Sequence, residues 1–166
     1  MQAGSLAAVF VAAGAARLAG RKRLAVLLAA TGTAVWGGSK LVKRLVGRGR
    51  PMAHLRDVVV RGNEERGLGF PSGHAGVSFS LAMVALRSLP RWARPVVFAV
   101  AATTSVARVY VGAHLPLDVV GGAAIGVATG AAVRMGVARF GRPWRDPSGG
   151  PGVSRRCRLW PRSGSE

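Results

Sequence analysis

Three short stretches carry side chains that could do chemistry. The first is "KRLVGRGRP", residues 43–51; the second is "PSGH", residues 71–74; the third is "ARVYVGAHLPLD", residues 107–118. Lys43 and Arg50 stand seven residues apart. On a continuous helix that is two turns, so both cations project from one face. Two cations there attract an anion, and arginine can grip phosphate through two parallel N–H bonds. Pro51 disfavours a helical conformation at Arg50. The same residues could equally form a basic collar at a membrane surface, together with Arg44 and Arg48. In the second stretch, Ser72 is placed to cap a helix and Gly73 allows close backbone approach. A helix N-terminus with free N–H groups cradles phosphate, and His74 in its first turn would face the bound group. A plain cap with an interfacial histidine fits these residues as well.

In the third stretch, His114 and Asp118 are i and i+4, on one face of a predicted helix with Pro116 in its first turn. A carboxylate that holds one imidazole N–H leaves the other nitrogen available as nucleophile or base. A buried His–Asp pair locking two helices together is the alternative. Arg108 adds a third cation from the end of the preceding helix. Taken together, three cations, a helix N-terminus, two histidines and an orienting aspartate describe phosphoryl transfer through a phosphohistidine, which is mostly positioning and charge stabilisation. A metal site fits poorly, because Lys43, Arg50 and Arg108 would repel a cation. No metal or other cofactor is expected.

The elements that must position these residues are apolar. The chain has 166 residues, 49% hydrophobic and 18% charged, with a mean hydropathy of +0.29. That is one domain's length, with the composition of a multi-span membrane protein. Five apolar segments are visible, at about 5–18, 24–46, 74–89, 96–113 and 115–138. None shows period-2 alternation, so the expected fold is all-α, an integral-membrane helical bundle with about five spanning helices. The first segment is short for the roughly 20 residues a span needs, and no basic region precedes it as in a signal peptide. A polar connection runs from Gly47 to Pro71. The expected division is a membrane domain over 1–139 and a Gly-, Pro-, Ser- and Arg-rich tail over 140–166, disordered or bound to a surface.

The net charge is +18. The basic residues lie between apolar segments and not in a patch with interleaved aromatics, which argues against nucleic acid and for anionic lipid headgroups. Loops 17–23 and 87–94 and the chain from Arg134 onward hold 15 of the 24 Lys+Arg and fall on one side. That side should be cytoplasmic, which puts all three polar stretches on the external side. The single cysteine, Cys157, cannot form an internal disulfide or a cysteine zinc site.

In order and spacing, the three stretches resemble the signature motifs of the type-2 phosphatidic acid phosphatase superfamily, K-x-x-x-x-x-x-R-P, P-S-G-H and S-R-x-x-x-x-x-H-x-x-x-D. The resemblance covers about Lys43 to Asp118. It implies metal-independent hydrolysis of a lipid phosphate or diphosphate. By that resemblance His114 is the nucleophile, Asp118 orients it, and His74 is the general acid for the leaving oxygen. Lys43, Arg50, Ser72, the Gly73 backbone and Arg108 then hold the phosphate oxygens. Polyprenyl diphosphates (undecaprenyl or decaprenyl) and phosphatidic-acid-type lipids are the implied substrates. A phosphotransferase or a catalytically decayed binder of anionic lipids would be compatible with much of the same pattern.

Two departures stand out. Ala107 replaces the serine that usually precedes the arginine of the third motif. The lost contact is worth about 1 kcal/mol, or about 1.5–3 to a charged oxygen, and Ser105 has the wrong helical offset to replace it. The family core usually has six spanning helices, so five implies a missing first helix and an N-terminus outside.

Overall fold

The computed structural model describes residues 3–53, 60–61 and 67–140. The described residues form five α-helices: α1 (Ala3–Leu18), α2 (Lys22–Val46), α3 (Gly73–Ala85), α4 (Ala93–Tyr110) and α5 (Pro116–Phe140). The five apolar segments read from the sequence each became one of them. The expected tail and much of the polar connection lie outside the described residues.

The third helix is the hub, packing against all four others and most extensively against α5. Glycines explain that contact. Gly122, Gly126 and Gly130 recur every fourth residue and form a stripe along one face of α5. A Cβ at Gly122 would collide with the Ser72 carbonyl, one at Gly126 with the Gly76 carbonyl, and one at Gly130 with the Met83 side chain. Small residues let helix backbones approach closely, which is how helices associate where lipid competes for apolar contact.

The apolar core is thin. Val9, Val35 and Val77 meet where α1, α2 and α3 converge, and Ala13, Ala16, Ala25, Leu28 and Val84 continue that seam. Large apolar side chains elsewhere face outward, among them Phe10, Val26, Leu41, Val106, Val120 and Met135. Helices apolar on their outer faces as well as their inner ones belong to a membrane-embedded bundle. By length and composition, α2 and α5 are long and apolar enough to cross a membrane. With 16 residues α1 falls short of the roughly 20 needed, and α3 has 13 before a 3-10 turn at 86–88.

Successive helices reverse direction, so the C-terminal ends of α2 and α4 meet the N-terminal ends of α3 and α5. At the opposite end the Arg21 guanidinium donates to the Ser88 carbonyl, tying the α1–α2 loop to the α3–α4 loop.

Candidate active site at one end of the bundle

The second helix stops earlier than the spacing of Lys43 and Arg50 suggests. Gly47 takes a left-handed conformation (φ 66°), donates to the Lys43 carbonyl and ends the helix. Lys43 is therefore helical and Arg50 is not, so they do not share a helical face as expected. Residues 48–50 instead lie beside 68–69: Gly49 and Leu68 form an antiparallel bridge, and Gly69 N–H donates to the Arg48 carbonyl at 2.8 Å. The turn brings Arg50 back to Lys43. Both are buried, with side chains lining one pocket.

The local bonds fix these cations. The Lys43 ammonium donates to the carbonyls of Leu68, at 3.0 Å, and Gly69, at 3.4 Å. Arg50 Nη1 donates to the Ala113 carbonyl at 2.8 Å, joining the end of α2 to the α4–α5 turn. Before that turn Arg108, in the last turn of α4, accepts the N–H groups of Ala113 and His114 at its carbonyl. Beyond it, Arg61 returns the connection to α4: its guanidinium lies 4.6 Å from the Tyr110 ring and donates to the Tyr110 carbonyl.

Ser72 stands at the N-cap position of α3, as the sequence suggests, but its hydroxyl makes no capping bond. The side chain is fully buried, and Oγ has no hydrogen-bond partner among the described residues. Leaving such a hydroxyl unsatisfied is costly unless a ligand supplies the partner. Its backbone is well held: Ser72 N–H donates to the Asp118 carbonyl at 2.8 Å, and its carbonyl accepts from Gly76.

The fifth helix begins at Pro116, so His114 precedes it and does not sit on its face as expected. The pair forms nonetheless, because the chain turns just before the helix. His114 Nδ1 lies 3.6 Å from Asp118 Oδ2, and the Leu115 N–H donates to that same oxygen at 2.9 Å. At 3.6 Å the histidine and carboxylate face each other beyond hydrogen-bond length. Asp118 is fully buried, and its other oxygen lies 3.5 Å from Arg48 Nη1.

One pocket thus gathers Lys43, Arg50, Gly73, His74 and His114, with Asp118 paired to His114 and Ser72 preceding Gly73. Arg108 does not line it; its side chain is half-buried nearby. Ala107 is exposed, and the Ser105 hydroxyl is tied to the Ala101 carbonyl of its own helix at 2.9 Å. The pocket also takes in residues that motif reading did not single out: Ser5 of α1, and Trp36, Ser39 and Lys40 of α2. The Lys40 ammonium lies 3.6 Å from the Trp36 ring centroid. Their positions, three, four and seven residues before Lys43, follow helical spacing and were the available signal. Among the described residues, no group of three or more His, Cys, Asp or Glu is placed to hold a metal ion.

A family model described as the PAP2 superfamily matches residues 22–142. A lipid A 4'-phosphatase of Bacteroides thetaiotaomicron is 37% identical over 94 residues, a match that covers 53% of this chain and 42% of that protein. The chain therefore matches well under half the length of that relative. No solved structure matches it. With 22–142 taking in all three polar stretches and every element that carries them, the chain belongs to the PAP2 superfamily.

Proposed function

We propose that this protein is a multi-pass membrane lipid phosphatase that hydrolyses a lipid phosphate or diphosphate through a phosphohistidine at His114. The observation that carries this reading is the buried His114–Asp118 pair opening onto a pocket with Lys43, Arg50 and His74. The family and a relative named for removing phosphate from a lipid support it.

In the reaction, Lys43, Arg50, the Ser72 hydroxyl and the Gly73 N–H hold the non-bridging oxygens and balance their charge. Neutral His114, its Nδ1 proton facing Asp118, attacks phosphorus through Nε2. The N–P bond forms as the bond from phosphorus to the lipid oxygen breaks, and protonated His74 gives that oxygen its proton. Neutral His74 then takes a proton from water, whose oxygen displaces the imidazole and releases inorganic phosphate. Both histidines are restored. Arg108 has a place in this scheme only if its side chain swings into the pocket on binding.

The basic loops joined by Arg21 and Ser88 lie at the end opposite the site, which supports an extracytoplasmic active site. Polyprenyl phosphates and diphosphates and phosphatidic-acid-type lipids are the candidate substrates. The test is phosphate release in detergent or liposomes from undecaprenyl diphosphate, phosphatidate and phosphatidylglycerophosphate, with His114→Ala as control. Release that the substitution abolishes supports the reading. Failure of folded protein to release phosphate from all three would overturn it.

A further inference from the structure

Lys40, Lys43 and Arg50 all line the phosphate pocket. Lys43 and Arg50 are pinned by backbone carbonyls and together balance the two negative charges of a phosphate monoester. Lys40 is left over by that count. It lies three residues before Lys43 on a neighbouring position of the same helix face, about 4.5 Å nearer the middle of α2. Its side chain is half-buried, and the ammonium is not turned out toward the helix end as a snorkelling lysine's would be. It folds back over Trp36, one helical turn further in, 3.6 Å from the ring centroid. Among the described residues Lys40 meets no carboxylate. The ring fixes the ammonium without supplying a negative charge, which an anion in the pocket can supply. A lysine head held toward the interior of a helix long and apolar enough to cross a membrane is costly, and such charges mark substrate sites.

From this placement we infer that Lys40 is a specificity residue, which receives a second phosphate joined to the one that His114 attacks. The inference rests on the phosphatase reading and deepens it, by naming the substrate class as a lipid diphosphate. The hydrocarbon is attached on the side of the leaving oxygen and lies toward the middle of the membrane. The leaving side of the pocket is therefore its inner side, where Lys40 and Trp36 stand. Adjacent phosphates share one bridging oxygen, which suits two lysines one helical step apart. His114 Nε2 attacks the terminal phosphorus, and the bond from that phosphorus to the bridging oxygen breaks. The oxygen departs with the lipid monophosphate and takes its proton from His74. The negative charge of that departing phosphate faces Lys40. A lipid monophosphate puts an alcohol oxygen there instead, and Lys40 gains no charge to bind.

The experiment uses the full chain in detergent with farnesyl diphosphate and farnesyl monophosphate, which share one hydrocarbon chain. Wild-type protein is expected to prefer the diphosphate by at least tenfold in kcat/KM and to release the monophosphate as its first lipid product. Lys40→Met and Lys40→Gln keep the length of the side chain and remove its charge. In each, the diphosphate-to-monophosphate ratio of kcat/KM is expected to fall at least tenfold. Lys40→Arg is expected to retain most of the wild-type ratio. A ratio unchanged in both neutral variants overturns the inference, as does a wild-type ratio near or below one. Equal loss on both substrates also overturns it, because Lys40 would then serve the first phosphate or the fold. Wild-type protein inactive on both substrates would remove the phosphatase reading, and this inference with it.

Discussion

Arg48 Nη1 lies 3.5 Å from Oδ1 of Asp118, a carboxylate with no exposed surface. The arginine belongs to the turn after α2 and the aspartate to the first turn of α5, so the contact joins two of the three motif-bearing stretches. A buried carboxylate is costly unless charge and hydrogen bonds compensate it. Here one oxygen takes the Leu115 N–H and faces His114, and the other faces Arg48. Arg48 is thus placed beside Asp118, which faces His114, and is not among the residues that line the pocket.

Arg48→Ala is expected to lower kcat by about tenfold, equivalent to about 1.4 kcal/mol, with little change in KM. The side chain is 29% exposed, which moderates the effect. Arg48→Lys should restore part of the loss, because a cation returns without the planar fork. Steady-state kinetics on one lipid phosphate checks this. A rise in KM with kcat unchanged would mean that Arg48 contacts substrate.

The role of His74 is read from the leaving group. If it protonates the departing oxygen, His74→Ala should cost about 10²–10⁴-fold on an alkyl phosphate, whose alkoxide leaves poorly. The loss on p-nitrophenyl phosphate, whose phenolate leaves without help, should be much smaller. Equal losses on both would make His74 a binding residue.

The glycine stripe of α5 gives a stability prediction. Gly126→Ala puts a methyl group against the Gly76 backbone carbonyl, which has no flexible side chain to yield. Overpacking of this kind costs about 1–3 kcal/mol, and thermal unfolding in detergent should report it. Gly14→Ala meets open space on α1 and should lower Tm less or not at all.

Ala107 invites repair to serine. In this structure its side chain is exposed and points to no partner in the pocket. Ala107→Ser should therefore change kcat/KM by less than about twofold, below the 1.5–3 kcal/mol of a hydrogen bond to a charged oxygen. A larger gain would mean that the end of α4 swings in with Arg108 when substrate binds.

The helices were legible because apolar runs bounded by Gly, Pro and Arg leave little choice, and their ends agree within a few residues. The site residues were legible as residue types at particular spacings. Their geometry was less so. Counting two turns from Lys43 puts Arg50 on the helix, but the left-handed Gly47 ends it four residues after Lys43. His114 was expected on α5 and sits just before it, because the helix starts at Pro116, a residue whose fixed φ suits a first helical position. The Arg48–Asp118 contact is long-range and nothing local announces it. The glycines of α5 seat α3, a contact that a stripe of small residues permits but that only the packed pair reveals.

The central claim is that phosphorus passes through His114. The most direct measurement is acid-labile, alkali-stable label on the protein after rapid quenching with a ³²P-labelled lipid phosphate. The expected result is label on wild-type protein within the first turnover, mapped to the peptide containing His114 and absent from His114→Ala. Phosphate released at full rate with no label on the protein, or label that persists in His114→Ala, would contradict it.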